Sequence, residues 1–145
     1  MNRGIKSNKS SGNKFEQDFA EFLDRNGFWC HVLQQNKSGQ PADIIAVKGK
    51  YHCLIDCKEV STGKGFVLTR AEENQRFAMK KFADRGGQIC WFAVKYPDGT
   101  IRMISINSVL MAEKQGVKAI SELLSEQFMT ADEWVYVIHV REENT

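Results

Sequence analysis

The sequence predicts an α/β fold, a mixed central β-sheet flanked by helices, from three observations. Phe15, Phe19, Phe22 and Leu23 fall at i, i+4, i+7 and i+8, an apolar stripe at helical spacing. The segments that follow, Phe28–Gln34, Asp43–Lys48 and Tyr51–Val60, are short and rich in aromatic and β-branched residues. After them, strand patterns alternate with helical ones, and a sheet of that kind needs helices on its faces. The chain has 145 residues, enough for one domain that buries roughly two-thirds of its unfolded surface.

Residues 1–12 (MNRGIKSNKSSG) are polar and rich in Gly, Ser and Lys, and are expected to form a flexible basic arm ahead of a single domain over 13–145. The first helix is expected over Asn13–Asn26, capped by Ser11 or Asn13 and closed by Gly27. Gln35–Gln40 reads as a loop. Gly49-Lys50 suits a two-residue hairpin turn between the second and third strands. A second helix is expected over Thr69–Ala83, where Thr69-x-x-Glu72 matches a capping box and Gly86-Gly87 ends the segment. Gln88–Tyr96 and Thr100–Ile106 read as strands around the Pro97-Asp98-Gly99 turn. A helical stretch over 108–128, interrupted near Gly116, and a last strand at Trp134–Val140 complete the order.

Composition narrows the function. Apolar residues are 42% and charged residues 26%, with no run of about 18 apolar residues, so no membrane span is expected. The basic N-terminus lacks the apolar core of a signal peptide, and a cytoplasmic location is the default. Cys30, Cys53, Cys57 and Cys90 lie in apolar segments without a C-x-x-C pair, so buried free thiols are expected ahead of a zinc site. The net charge of +2 is unevenly spread. Arg3, Lys6, Lys9 and Lys14 have no acid among them, and Lys37, Lys48, Lys50, Lys58, Lys64 and Arg70 continue the series. Between Asn26 and Ser61 the only acids are Asp43, Asp56 and Glu59. A basic face suits a polyanion, and a solvated lysine-rich surface is the plainer alternative.

The hairpin carries the chemistry. With Gly49 and Lys50 in the turn, Lys48 pairs with Tyr51, and counting back puts Ile44 opposite Ile55 and Asp43 opposite Asp56. Opposed residues have Cβ atoms about 4.5–5.5 Å apart on one face, and like charges there repel, so a bound cation is the natural resolution. Alternation puts Leu54, Asp56 and Lys58 on one face and the apolar Cys53, Ile55 and Cys57 on the other. Two hard oxygen ligands suit magnesium, which can acidify a water and polarise a phosphodiester. A lysine beside them can orient that water or stabilise charge on the phosphate.

Pro41-Ala42-Asp43 followed by Asp56-Cys57-Lys58 resembles the P-D…(D/E)-x-K signature of the PD-(D/E)XK, restriction-endonuclease-like nucleases. Ile55-Asp56-Cys57-Lys58-Glu59-Val60, Phe66-Val67-Leu68 with Asn74-Gln75, and Arg85-Gly86-Gly87-Gln88-Ile89 are similar to segments of the RecU-like Holliday junction resolvases. The archaeal (Hjc-like) junction resolvases share the order and the short length. The resemblance covers residues 12–106 and departs at the first connection, where Gln35–Pro41 replaces the longer stalk of the RecU-like enzymes. It implies that Asp43 and Asp56 ligate magnesium, with manganese as substitute, and that the Cys57 carbonyl is a further ligand. It also implies that Lys58 activates or positions the water, that Glu16 completes the site directly or through water, and that Gln75 supports the site or contacts the scissile strand. Lys37-Ser38-Gly39 is similar to a phosphate-side loop, and Lys14, Lys37, Ser38, Lys64 and Arg70 are the expected DNA contacts.

The expected function is a magnesium-dependent, structure-selective endonuclease that resolves four-way junctions by paired symmetric nicks. Two cuts with one site per chain imply a homodimer. No small-molecule cofactor and no membrane partner are expected, and the setting is a bacterial cell or a phage-infected host. One alternative is a PD-(D/E)XK nuclease acting on flaps or linear duplex. Another is a non-catalytic DNA-binding module, against which the retained acids argue. The plainer readings are a surface ion-pair cluster for Asp43, Asp56 and Lys58, and solvated helix positions for Glu16 and Gln75. Trp29, Trp91 and Trp134 read as core or interface residues.

Overall fold

A computed structural model describes residues 3–34 and 42–144, with side chains from residue 14 onward. The elements in order are α1 (Arg3–Arg25), β1 (Trp29–Val32), β2 (Ile44–Lys48), β3 (Tyr51–Glu59), β4 (Phe66–Val67), a 3-10 turn (Leu68–Arg70), α2 (Glu73–Asp84), β5 (Trp91–Lys95), β6 (Ile101–Ser105), α3 (Ile106–Lys114), β7 (Ala119–Ile120), α4 (Glu122–Ser125) and α5 (Ala131–Glu143). Five strands form the main sheet in the order β1-β2-β3-β5-β6. Only β3 and β5 run parallel, because α2 crosses over between them, and the other pairs are antiparallel. This is the mixed, helix-flanked sheet that the strand and helix order predicts.

Strand alternation divides the core into two layers. On one face Cys53, Ile55, Ile44 and Ala93 meet Phe15, Phe19 and Leu23 of α1, and Trp134, Val135 and Ile138 of α5. On the other face Leu54, Phe92, Val94 and Ile104 meet Met79 of α2, Val109 of α3, and Phe66 and Ile120 of the small β4–β7 sheet. The hairpin register is the one counted from its turn, from Lys48↔Tyr51 to Ile44↔Ile55. All four cysteines are free thiols, Cys53 and Cys90 buried and Cys30 and Cys57 half-buried. Among the described residues no helix is long and apolar enough to cross a membrane.

Several elements differ from the sequence reading. The first helix does not begin at a Ser11 or Asn13 cap: its backbone extends back to Arg3, through the segment expected as an arm. That segment holds no proline, and each residue added to an existing helix gains a hydrogen bond for little extra ordering. The expected strand Trp134–Val140 is helix α5. Thr130 Oγ1 accepts from the Glu133 N–H at 3.2 Å, and Glu133 Oε1 accepts from the Thr130 N–H at 2.8 Å, a reciprocal cap. Ala131, Trp134, Val135 and Ile138 then form one buried stripe, and tertiary packing overrides the β preference of the segment. The helical stretch over 108–128 is divided. Ser105 caps α3 by accepting from the Ser108 N–H, Gly116 ends it at φ 86°, and β7 and α4 follow. Thr69 does not cap α2; it lies in the 3-10 turn, and Glu72 takes the cap position. The loop at 35–40 lies outside the described residues.

Trp134 is fully buried, with its ring stacked on Phe28 and edge-on to Tyr51 and Trp91. Trp134→Ala is expected to cost about 3–5 kcal/mol of folding stability. The shift of the urea midpoint at constant slope measures it.

Candidate active site

The site forms where the β2–β3 hairpin opens. Asp43 sits one residue before β2, where its N–H donates to the Ile55 carbonyl at 3.0 Å, one residue off the Ile44↔Ile55 register, as in a β-bulge. Its carboxylate turns toward β3, where Oδ2 accepts the Cys57 N–H at 2.7 Å. In a strand the N–H and C=O of one residue point to the same neighbour. The Cys57 carbonyl therefore faces the side on which β2 pairing has already ended at Ile44↔Ile55. β2–β3 pairing ends at Ile44↔Ile55, short of the Asp43–Asp56 pair counted from the turn, but the two carboxyls still lie close enough to act on each other, and Asp56 is 1% exposed.

Two side chains flank Asp56. Gln75, from the first turn of α2, donates Nε2 to Asp56 Oδ1 at 3.0 Å. Lys58, two residues along β3 on the same face, places Nζ 3.0 Å from Asp56 Oδ2 and 3.4 Å from Gln75 Oε1. The lysine is within ion-pair distance of Oδ2 but not at a hydrogen-bond angle, so that buried oxygen accepts no hydrogen bond. Gln75 Oε1 also accepts the Glu72 N–H at 3.3 Å, so the start of α2 fixes which way the amide faces.

Glu16 reaches the same end from α1. Phe15 and Phe19 are buried on either side of it in sequence, which turns the half-buried Glu16 toward the sheet. Its carboxyl lies close enough to Asp43 and Asp56 for both to act on it. Burial raises the pKa of Glu16, and the nearby Asp56 charge raises it further against the lowering effect of Asp43. Burial also raises Asp43 and Asp56 above the ordinary carboxylate range. The Cys57 N–H opposes the shift at Asp43, and Lys58 opposes the one at Asp56.

The five residues expected at the centre, Glu16, Asp43, Asp56, Lys58 and Gln75, are thus brought together. The expected DNA contacts are not gathered in the same way. Lys14 is exposed but pairs with Asp18 at 3.1 Å, and Arg70 donates to the Glu59 carbonyl at 2.8 Å. Lys64 is exposed in the loop after β3. Lys37, Ser38 and Pro41 lie outside the described residues. The bond from the Cys57 N–H to Asp43 was not foreseen, because a backbone donor has no side-chain signature.

The donor set fits a hard divalent cation. Asp43, the unbonded Oδ2 of Asp56 and the Cys57 carbonyl offer oxygen only, which suits magnesium. Among the described residues no group of three or more His, Cys, Asp or Glu side chains is arranged to hold a metal alone. Magnesium usually completes a shell of one or two carboxylates with water and phosphate oxygens.

Comparison with known proteins gives the family and the fold. A family model described as archaeal Holliday junction resolvase (Hjc) matches residues 7–135. The solved structure of Archaeoglobus fulgidus Hjc, described as a Holliday junction resolvase from an archaeal hyperthermophile, matches the fold with a TM-score of 0.60. That match has 20% sequence identity and covers 86% of this chain and 95% of the other. No curated protein matches the sequence significantly.

The raised carboxyls give a pH dependence with a definite sign. Without metal the native state holds protons that the unfolded state has released, so stability falls as pH rises. The window runs from the ordinary carboxyl range through about 6 for Asp43 to about 7 for Asp56. Melting temperatures in chelator are expected to decline across that window, and added magnesium is expected to restore them at neutral pH. Asp56→Asn is expected to flatten the decline.

Proposed function

We propose that this chain, which belongs to the archaeal Holliday junction resolvase family, is a magnesium-dependent endonuclease that resolves four-way junctions by paired symmetric nicks. The observation that carries the reading is the convergence of Asp43, Asp56 and Lys58 at the open end of one hairpin. A basic surface alone would bind DNA, and buried acids beside a phosphate would oppose it. Their retention, with Lys58 3.0 Å from Asp56, supports hydrolysis over binding alone.

Each residue has a part. Asp43, Asp56 and the Cys57 carbonyl would hold magnesium, or manganese in its place. The ion would lower the pKa of a water and polarise the phosphodiester. Lys58 pairs with Asp56 at 3.0 Å, and its ammonium carries three protons, so it would also orient the attacking water and balance charge on the phosphate. Gln75 holds Lys58 and Asp56 in register by bonding both. Glu16, beside Asp43, would complete the site directly or through water.

Two symmetric cuts need two such sites, and one chain carries one, which supports a two-fold dimer as the working form. Branched DNA is the partner, without a small-molecule cofactor, in the cytoplasm. Basic residues such as Lys14, Lys37, Lys64 and Arg70, with Ser38, would supply phosphate contacts.

The test is cleavage of a labelled four-way junction beside a linear duplex of equal length, with magnesium and with chelator. Paired nicks in the junction alone, abolished by chelator, are expected. Equal cutting of both substrates would keep the nuclease and discard the junction selectivity. Asp56→Asn and Lys58→Ala are each expected to lower cleavage by about a hundredfold or more. Junction affinity should hold within a few-fold in both, because binding rests on phosphate neutralisation elsewhere. A variant of either kind that cuts normally would refute the assignment of the site.

A further inference from the structure

We propose that Arg76 and Glu113 are a positioning pair for the catalytic centre, a role that rests on the nuclease reading above. Arg76 follows Gln75 on α2, and its guanidinium makes four hydrogen bonds. Nη1 and Nη2 donate to the two carboxylate oxygens of Glu113 on α3 at 2.5 and 2.7 Å, a side-on fork. Nε donates to the Ala71 carbonyl at 2.5 Å, and Nη2 donates also to the Leu68 carbonyl at 2.8 Å. All four bonds go to α3 and to the turn ahead of α2; none goes to Asp56 or Lys58.

That turn is held on its other side by the active strand. Arg70, its last residue, donates to the carbonyl of Glu59, the residue after Lys58. The turn therefore spans from the end of β3 to the start of α2, and Arg76 pins it to α3. Gln75 lies between the pinned turn and the carboxylates. Its amide faces Asp56 with the nitrogen, and Lys58 and the Glu72 N–H with the oxygen. Which atom of the amide meets which partner depends on where α2 begins over β3, and Arg76 sets that start.

The bonding pattern argues for orientation over bulk stability. The two side chains are 20% and 38% exposed, and every bond the guanidinium makes fixes the turn ahead of α2 against α3, so melting curves separate lost stability from lost orientation. The fork also demands arginine. A lysine at this position would keep the charge but cannot serve two carboxylate oxygens and two carbonyls in one plane.

The experiment measures kcat and KM for junction cleavage by the wild-type chain, Arg76→Lys, Gln75→Ala and the double variant, with melting curves to check folding. Arg76→Lys is expected to lower kcat about tenfold and leave KM within about twofold, because ångström-scale misplacement near the chemistry costs up to about a hundredfold. In the Gln75→Ala background the same change is expected to alter kcat less than about twofold, because residues acting through one another are non-additive. Glu113→Gln keeps the side-chain shape and weakens the fork, so it should show the same pattern at smaller amplitude even if Arg76→Lys folds poorly. Equal losses in both backgrounds, or an unchanged kcat in the single variants, overturn the positioning role and leave the nuclease standing. A wild-type chain that cuts no branched DNA overturns both.

Discussion

Two carboxylates face each other across the end of a hairpin with almost no access to water. Burial and mutual repulsion both disfavour their charged forms. The molecule offsets this in part with what surrounds them: the Cys57 N–H on Asp43, the Gln75 amide on Asp56, and the Lys58 ammonium beside it. One oxygen of Asp56 still has no hydrogen bond. Such an arrangement is costly in an apo protein and becomes favourable when a cation joins it. A cation held there would relieve that cost.

The rest of the fold follows from holding those groups in place. The antiparallel β2–β3 pair, with the offset bond from Asp43 to Ile55 at its end, brings Asp43 beside Asp56, and the parallel β3–β5 pair anchors the same strand from its other edge. The helices each bring one side chain. Glu16 arrives from α1, whose apolar stripe locks onto the sheet, and Gln75 arrives from the first turn of α2 on the opposite face. Three layers therefore converge at one end of the sheet. None of these contacts is strong alone; their common requirement is that each element begins or ends at a particular residue.

The centre of the site was legible because strand geometry is rigid. A two-residue turn at Gly49-Lys50 fixes the register, and a period of two fixes which residues share a face, so Asp43, Asp56 and Lys58 follow by counting. Glu16 and Gln75 came only through family resemblance, since helix-to-sheet docking cannot be counted along a chain. The Cys57 N–H was invisible because backbone groups are present at every position. The misreading of α5 has a physical cause. Tyr136 and Val137 are exposed on that helix, 63% and 40%. With Trp134, Val135, Ile138 and Val140 they make a continuous β-favouring run that hides the buried stripe. The cap at Thr130 and Glu133 was a helix signal in the same place. Thr69-x-x-Glu72 was the reverse case, a capping pattern that the chain does not use, because Glu72 and Gln75 form the cap one turn later.

The central claim is that the Asp43–Asp56 pair is the seat of a divalent cation. Anomalous diffraction from crystals soaked in manganese tests it most directly. The expected result is a manganese peak held by Asp43, Asp56 and the Cys57 carbonyl. A protein that cuts junctions but binds manganese elsewhere, with the two carboxyls still facing each other unbridged, would contradict it.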